Sequence, residues 1–205
     1  MQAAIRQRSS GTGRRPGVAG ARVWRRAVAG LLLLAFAASP AAVGAQQAEA
    51  VRAAFVLNFL KFAEWPSAGG GATSDLVIAA VGDDAQVAAL TAGLEGKEIQ
   101  GRHVVVRAFR DADQWRREGR GCQALFLSPS AAAGWPQLRA DLAGQPVLTI
   151  SEAPGFCEQG GMLNLYEQDH RIRFEANPGA AELAGLKLRS TLLTLATIVK
   201  SKGGM

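Results

Sequence analysis

Four short apolar runs, separated by segments of helical character, constrain the fold of this chain most strongly. The runs are residues 76–81, 103–109, 124–128 and 147–151. Apolar runs of this length, bounded by turn residues, are typical of buried strands. The intervening segments predict helices over residues 85–94, 111–118 and 130–143. This alternation of strand and helix predicts an α/β fold, a single-domain three-layer sandwich with a mostly parallel sheet and helices on both faces.

Two extended runs, 162–166 and 171–176, follow the fourth strand and predict a C-terminal antiparallel hairpin at one edge of the sheet. The second run alternates clearly in polarity. Because successive side chains of a strand point to opposite faces, Ile172 and Phe174 fall on one side. The opposite side then carries the three charged residues, which are Arg171, Arg173 and Glu175.

A helix is predicted before the first strand and another at the C-terminus. Residues 46–64 carry apolar side chains at helical spacing, and Pro66 should end that helix because the residue before a proline is pushed out of the helical region. The last helix is predicted to follow the break at residues 177–179 and to run to about Lys200. Its buried stripe would be Leu188, Leu192, Leu195 and Val199.

The first 45 residues have the composition of a secretory signal peptide. Seven arginines and no acidic residue are followed by an apolar run, 27–38, and then by small residues through Ala45. This order of basic, apolar and Ala-x-Ala-like segments is that of a cleaved export signal. The apolar run is shorter than the roughly 20 residues of a membrane-spanning helix, so a permanent anchor is the weaker alternative. We therefore expect a signal peptide over 1–45 and a single α/β domain over 46–205.

Removal of the leader reverses the sign of the net charge. The whole chain has 23 Lys and Arg against 17 Asp and Glu, a net charge of +6. Without the seven leader arginines, 16 basic residues face 17 acidic ones, and the net charge is −1. A nucleic-acid-binding domain needs a basic face on the mature protein. We therefore expect no nucleic-acid partner, and no stable membrane insertion after cleavage of the signal.

Several blocks of the mature segment, taken in order, resemble the YfiR/HmsC-like family of periplasmic repressors. The blocks are residues 53–55 with Glu64-Trp65-Pro66, then 122–128, 147–151 with 155–157, 160–162, 171–177, and 185–188 with 192–196. Each block alone is weak, but their order over nearly the whole mature chain is specific.

The resemblance implies a periplasmic regulatory protein without catalytic activity. Members of the family are thought to repress an inner-membrane diguanylate cyclase through contact with its periplasmic sensing domain, which lowers cyclic-di-GMP signalling and biofilm formation. The resemblance also implies a homodimer and agrees with the α/β fold. The alternative is a periplasmic small-molecule-binding protein linked to transport, although two-lobed binders are usually much longer than this chain.

Residue types that carry chemistry predict no catalytic, cofactor or metal site. The two histidines, His103 and His170, fall at a strand start and in the hairpin turn, and the mature sequence has no HExxH or CxxC motif. We therefore expect that the protein is not an enzyme and needs no cofactor.

Polar residues at the strand ends fit structural roles better than known catalytic patterns. Ser128, Ser130 and Ser151 lie where α/β sites usually gather, but no Gly-x-Ser-x-Gly elbow surrounds any of them. Asp83 and Asp84 fit either a turn with a helix N-cap or an acidic phospho-acceptor pocket, and the N-cap is favoured because the third strand ends in a serine.

The arginine pair is the main candidate for a partner or ligand contact. Arg171 and Arg173 place two guanidinium groups on one strand face, so an anionic group is needed nearby. That group is Glu175 or another intramolecular acid, or it belongs to an external ligand or protein. The glycines Gly160 and Gly161 likewise fit either a turn with positive φ or a close approach by a partner.

The two cysteines, Cys122 and Cys157, invite a disulfide in an exported protein. Cys122 precedes the third strand and Cys157 follows the fourth, so in a parallel sheet they start at opposite ends. A strand of that length spans roughly 17 Å, whereas a disulfide needs Cα atoms within about 7 Å. We therefore predict no bridge between Cys122 and Cys157.

Overall fold

The computed structural model describes residues 40–66, 75–82 and 84–202, with side chains described from Gln47 onwards. Residues 1–39 of the predicted signal peptide, 1–45, lie outside the described residues. Residues 40–45 belong to the first helix. Asp83 also lies outside the described residues. No helix in the described ranges is both long enough and apolar enough to cross a bilayer.

Helices and strands alternate along the described chain. The helices are α1 (Pro40–Phe62), α2 (Ala85–Leu94), α3 (Ala112–Glu118), a 3-10 helix (Pro129–Gly134), α4 (Trp135–Asp141), α5 (Pro178–Leu183) and α6 (Ser190–Leu193). The strands are β1 (Ala63–Glu64), β2 (Leu76–Val81), β3 (Glu98–Ile99), β4 (Arg102–Phe109), β5 (Ala124–Leu127), β6 (Leu148–Ser151), β7 (Leu163–Gln168), β8 (Arg171–Ala176), β9 (Lys187–Leu188) and β10 (Thr197–Ile198).

The described strands other than β1 and β9 form one eight-stranded sheet in the order β10-β8-β7-β6-β5-β2-β4-β3. The neighbours from β4 to β7 are parallel, whereas β7–β8 and β3–β4 are antiparallel. The chain's first long strand, β2, lies between the second and third, β4 and β5, so the strand order reverses there. In doubly wound sheets, ligands bind beyond the carboxyl ends of the strands at such a reversal.

Helices pack on both faces of the sheet because successive side chains of the central strands point to alternate sides. Ile78 and Ala80 of β2 belong to one core with α1 and α2, and Ala79 and Val81 belong to the other with α3 and α4. These cores lie within one compact unit, Gly44–Met205. The predicted α/β sandwich with a C-terminal antiparallel hairpin is thereby confirmed.

The predicted C-terminal helix to Lys200 is wrong. Gly185 adopts a φ of +75°, which helical residues do not adopt, and α5 ends two residues before it. Leu188 instead pairs with Ala63 in an antiparallel β1–β9 ribbon. Of the predicted stripe, Leu188 and Leu192 are buried but Leu195 is 77% exposed. The apolar residues of the predicted stripe therefore belong to different elements, with Leu188 in β9, Leu192 in the short helix α6 and Val199 at the edge of the large sheet.

The predicted helix over 130–143 is also divided. A 3-10 helix runs to Gly134, and α4 begins at Trp135 with Pro136 in its first turn. A proline is accommodated at the start of a helix, where its missing N–H has no intrahelical partner. Gly134 brings the segment close to α3, since a Cβ on it would meet the Ala112 side chain at 2.6 Å.

Candidate functional site

The β7–β8 hairpin turns over two residues, Asp169 and His170, which have φ values of 51° and 57°. Two consecutive positive φ values are those of a type I′ turn, whose twist matches that of the flanking strands. The turn sets the register by pairing Gln168 with Arg171. It is shorter than the four-residue connection that the sequence predicted, because β7 continues through Gln168.

The register gives the hairpin one apolar and one polar face. Leu165 lies opposite Phe174, and both are buried in the core that α1 covers. The residues on the other face form what we term the hairpin face, which consists of Asn164, Tyr166, Gln168, Arg171, Arg173 and Glu175, joined by Thr197 of β10. The predicted division of β8 into an apolar and a charged side therefore matches the structure.

The three predicted contact residues lie on one face but differ in their partners. Glu175 is half-buried and accepts a hydrogen bond from Asn164 Nδ2 at 3.3 Å. Arg171 and Arg173 are exposed, and neither has an ion pair or side-chain hydrogen bond with another described residue. Glu175 therefore does not neutralise the arginines, and two guanidinium groups remain directed to solvent.

Four members of the hairpin face were missed by sequence reasoning, and these are Asn164, Tyr166, Gln168 and Thr197. Tyr166 lies opposite Arg173, and its hydroxyl is 3.2 Å from Thr197 Oγ1. Asn164 is buried, and its Oδ1 has no hydrogen-bond partner within the described part of the protein. The hairpin register would have placed Tyr166 and Asn164 on this face, but Thr197 was hidden by the wrong C-terminal helix.

At the strand-order reversal, two serines and an aspartate form a second polar cluster, which we call the serine–aspartate cluster. Asp84 caps α2 by accepting from the Val87 N–H at 3.0 Å, and its Oδ2 accepts from Ser130 Oγ at 2.6 Å. Ser128 Oγ lies 2.7 Å from Ser130 Oγ. Gly82 leaves room for this arrangement, because a Cβ there would collide with the Ser128 hydroxyl.

The hydrogen bonds of the serine–aspartate cluster give Asp84 the role of an N-cap for α2. Burial alone would raise the pKa of Asp84, but hydrogen bonds from Ser130, from the Val87 N–H and from Ser128 together lower it. A carboxylate with a lowered pKa is a weak base towards a serine hydroxyl. Neither histidine is part of the cluster, since His103 lies near the start of β4 and His170 in the hairpin turn.

A third cluster, the clamp, joins α1, α2 and the end of β6, and sequence reasoning missed it. Arg52 Nε lies 3.0 Å from Glu152 Oε2, and Arg52 Nη1 lies 3.0 Å from Glu49 Oε1. Gln86 Nε2 donates to the same Glu152 oxygen at 3.1 Å. Burial raises the pKa of Glu152 despite the opposing charge of Arg52. No short motif announces this cluster, because its members come from three separate segments.

The cysteines are both buried free thiols. Cys122 lies two residues before β5, whereas Cys157 lies beyond the end of β6, where its carbonyl oxygen accepts a hydrogen bond from Asn177 Nδ2 at 2.9 Å. Burial raises the pKa of each thiol, and Glu175 raises that of Cys157 further. The absence of a bridge between Cys122 and Cys157 stays a prediction.

The paired glycines serve the packing of the chain itself. Gly160 has a φ of +91°, and a Cβ on it would lie 2.7 Å from Arg139 Nε. A Cβ on Gly161 would collide with the Phe156 ring. The turn with positive φ therefore accounts for Gly160, whereas Gly161 is explained by the close approach of the Phe156 ring within the chain itself. In the described ranges, His, Cys, Asp and Glu side chains form no group of three or more that is placed to hold a metal ion.

The family model for YfiR/HmsC-like proteins matches residues 49–197. This chain belongs to the YfiR/HmsC-like family. The matched segment begins at Glu49 of the clamp and ends at Thr197 of the hairpin face. Both clusters, and all the strands of the sheet except the last residue of β10, therefore lie within the part that defines a YfiR/HmsC-like protein.

Proposed function

We propose that this YfiR/HmsC-like protein is a periplasmic regulator that represses an inner-membrane diguanylate cyclase by protein–protein contact, and so lowers cyclic-di-GMP signalling and biofilm formation. The observation that carries the proposal is the family match over residues 49–197. The contact would be made with the periplasmic sensing domain of the cyclase.

The hairpin face supports a contact role. Arg171 and Arg173 are exposed and have no acid among the described residues to neutralise them. Arginine is enriched at protein interfaces, where its guanidinium pairs with carboxylates and stacks on aromatic rings. Exposed Leu195 and Ile198 near the same sheet edge add apolar area, at 77% and 51% exposure. This combination suits a protein partner better than a small ligand.

Repression by contact requires different affinities for two states of the cyclase. A regulator shifts an equilibrium only to the extent that it binds one state more tightly than the other. The protein would therefore bind the inactive form of the sensing domain preferentially. We also propose that it acts as a homodimer and has no catalytic activity, which agrees with the capping role of the serine–aspartate cluster.

The test is co-expression with an inner-membrane diguanylate cyclase of the same organism that has a periplasmic domain. We expect the parent protein to lower cellular cyclic-di-GMP and to co-purify with the cyclase from solubilised membranes. The variant with Arg171→Ala and Arg173→Ala should lose both effects. The matched control replaces Arg117 and Arg120 of the α3 region, which are also exposed and also lack partners among the described residues.

The outcomes separate the function from the contact residues. If the parent protein neither lowers cyclic-di-GMP nor recovers the cyclase, the proposed function is wrong. If the double alanine variant represses as well as the parent with a native circular dichroism spectrum, the function stands and Arg171 and Arg173 are not the contact.

One observation favours the alternative of a small-molecule binder. An apolar groove of about 200 Å³ lies between α4 and α5, and Leu142, Val147, Met162 and Leu183 line it beside Arg139. Ligand pockets usually measure roughly 300–1,000 Å³, so this groove is small for a transport substrate. Equilibrium dialysis against periplasmic extract, followed by mass spectrometry of retained compounds, tests this alternative directly.

A further inference from the structure

The outer edge of β8 is covered only at its C-terminal end. β10 pairs with the last two residues of β8, and the Val199 N–H donates to the Ala176 carbonyl oxygen at 2.8 Å. Backbone groups of successive residues in an antiparallel strand point alternately to one neighbour and to the other side. Ile172 therefore directs its N–H and C=O outwards, as Ala176 does. Unlike those of Ala176, the outward groups of Ile172 form no hydrogen bond with a described residue outside the hairpin.

Two different surfaces flank this open edge. On the hairpin face lie the guanidinium groups of Arg171 and Arg173. On the opposite side lie the half-buried Ile172 and Phe55, which pack against the core below α1. Ile198 is on that side too, because it is paired with the buried Ala176, and it is 51% exposed. The edge thus separates a cationic surface from an apolar one.

A strand added at Ile172 would send alternate side chains to these two surfaces. Those over Arg171 and Arg173 would be favoured as Asp or Glu, since opposite charges on adjacent strands stabilise pairing. Those on the other side would be favoured as apolar residues beside Ile172 and Ile198. A second copy of the same edge fits poorly, because an antiparallel pairing about Ile172 would bring Arg171 opposite Arg173, and like charges in that position are destabilising.

We propose that the open edge of β8 binds an extended segment of a partner protein in which acidic and apolar residues alternate, and that this segment adds a strand to the sheet. Such strand addition obtains affinity from main-chain hydrogen bonds and specificity from alternate side chains. The identity of the partner rests on the proposed function, in which the segment belongs to the periplasmic domain of the cyclase.

The experiment uses the full protein recovered from the periplasm and a fluorescently labelled synthetic peptide of alternating glutamate and valine. Fluorescence anisotropy should show binding about tenfold tighter than for a peptide of the same composition with the glutamates in one block, or for one of alternating lysine and valine. Hydrogen exchange at the Ile172 amide should slow when the alternating peptide is bound.

Two sets of variants locate the binding site. The charge reversal R171E with R173E should weaken binding about tenfold or more, whereas R117E with R120E should leave it unchanged. Ile172→Pro removes the outward N–H but leaves the inward pairing of its neighbours, and proline is tolerated where an edge N–H faces solvent. Its control, Ile172→Ala, removes the side chain and keeps the N–H. Ile172→Pro should bind the alternating peptide at least as weakly as the charge-reversal variant does. Ile172→Ala should bind the peptide more tightly than Ile172→Pro does.

Three results would overturn the proposal. The first is equal binding of the alternating and block peptides. That result is expected if the only role of the arginines is to prevent the edge from pairing with other chains and aggregating. The second is equal binding of folded Ile172→Pro and Ile172→Ala variants or, if Ile172→Pro fails to fold, undiminished binding by the charge reversal. The third is a change of oligomeric state in R171E with R173E by sedimentation velocity, which would make a second copy the occupant.

The co-expression assay distinguishes this inference from the proposed function. If the parent protein lowers cyclic-di-GMP and the edge variants do so equally, the inference fails and the function stands. If the parent protein leaves cyclic-di-GMP unchanged while the alternating peptide binds at β8 as expected, the edge is a strand-binding site and the cyclase is not its partner.

Discussion

Arg52 in the clamp and the Arg171–Arg173 pair on the hairpin face are the same residue type in opposite surroundings. The Arg52 side chain is 18% exposed and lies 3.0 Å from both Glu49 and Glu152. Arg171 and Arg173 are exposed and have no such acid among the described residues. In the clamp, positive charge joins elements of the fold, whereas at the hairpin it is directed outwards.

The difference teaches that burial, and not residue type, sets the energetic importance of each arginine. Removing one partner of a buried ion pair leaves the other charge desolvated and uncompensated, which costs several kcal/mol. Removing an exposed charge changes stability by about 1 kcal/mol at most. The clamp should therefore respond to mutation as a structural unit, and the hairpin face should respond only when a partner is present.

The largest effect is expected for Arg52→Ala, which leaves Glu152 buried without its cation. The free energy of unfolding, measured by urea denaturation, should fall by about 3 kcal/mol. The matched control, Arg171→Ala, should change it by less than about 0.5 kcal/mol. Equal losses in the two variants would remove the contrast between the clamp and the hairpin face.

Gly82→Ala tests how closely the serine–aspartate cluster is packed. Gly82 has a φ of +144°, and an added Cβ would collide with the buried Ser128 hydroxyl. We expect a loss of about 2 kcal/mol or more in unfolding free energy. Gly121→Ala is the control, because its φ is +87° but nothing lies within 4 Å of the added Cβ. If Gly121→Ala were as damaging, backbone strain alone would explain the loss.

The pH dependence of the unfolding free energy distinguishes Glu152 of the clamp from Asp84 of the serine–aspartate cluster. Burial raises the folded-state pKa of Glu152 above 4.5. Its contribution is therefore complete below pH 4.5 and is lost as pH rises through the higher folded-state pKa. The stability of the parent protein relative to Glu152→Gln should fall over that interval, as measured by denaturation at a series of pH values.

Asp84 provides the opposite sign as an internal control. Its folded-state pKa is lowered from 3.8, so its contribution is present above that pH and is lost only as pH falls through the folded-state value. Asp84→Asn should therefore differ from the parent in its acid dependence below pH 3.8. A parallel pH response of the Glu152→Gln and Asp84→Asn variants would contradict the assigned directions.

The smallest effect is expected when both Arg171 and Arg173 are replaced by alanine. Two like charges on one strand face repel each other weakly, so the unfolding free energy should stay constant or rise by up to about 0.5 kcal/mol at low salt. A loss larger than about 1 kcal/mol would mean that these side chains hold the hairpin together, and the two arginine environments would no longer differ in kind.

Sequence reasoning succeeded where local signals suffice. The bounds predicted for β2, α2 and β8 are those observed, because a short apolar run, an aspartate N-cap and strict alternation are each read within a few residues. The same alternation placed Arg171 and Arg173 together on one face. It left open whether Glu175 neutralises them, and the pairing of Glu175 with Asn164 across the hairpin answers that point.

Sequence reasoning failed where partners are distant along the chain. The C-terminal apolar residues fit a helix by spacing, but Leu188 pairs with Ala63, which lies far away in sequence. The clamp was invisible for the same reason, since Arg52, Gln86 and Glu152 share no motif. Local spacing carries no information on which remote edge or charge a residue will meet.

Periodicity and composition were enough for the α/β architecture and for the near-neutral charge expected after export, because each follows from neighbouring residues or simple counts. The family resemblance rested on specific residue blocks in their order along the chain. Long-range packing decided the roles of the arginines. It places Arg52 between two carboxylates, whereas Arg171 and Arg173 lie beside an open strand edge. The physical reason is that charges are neutralised through space, by side chains from elements that only the folded chain brings together.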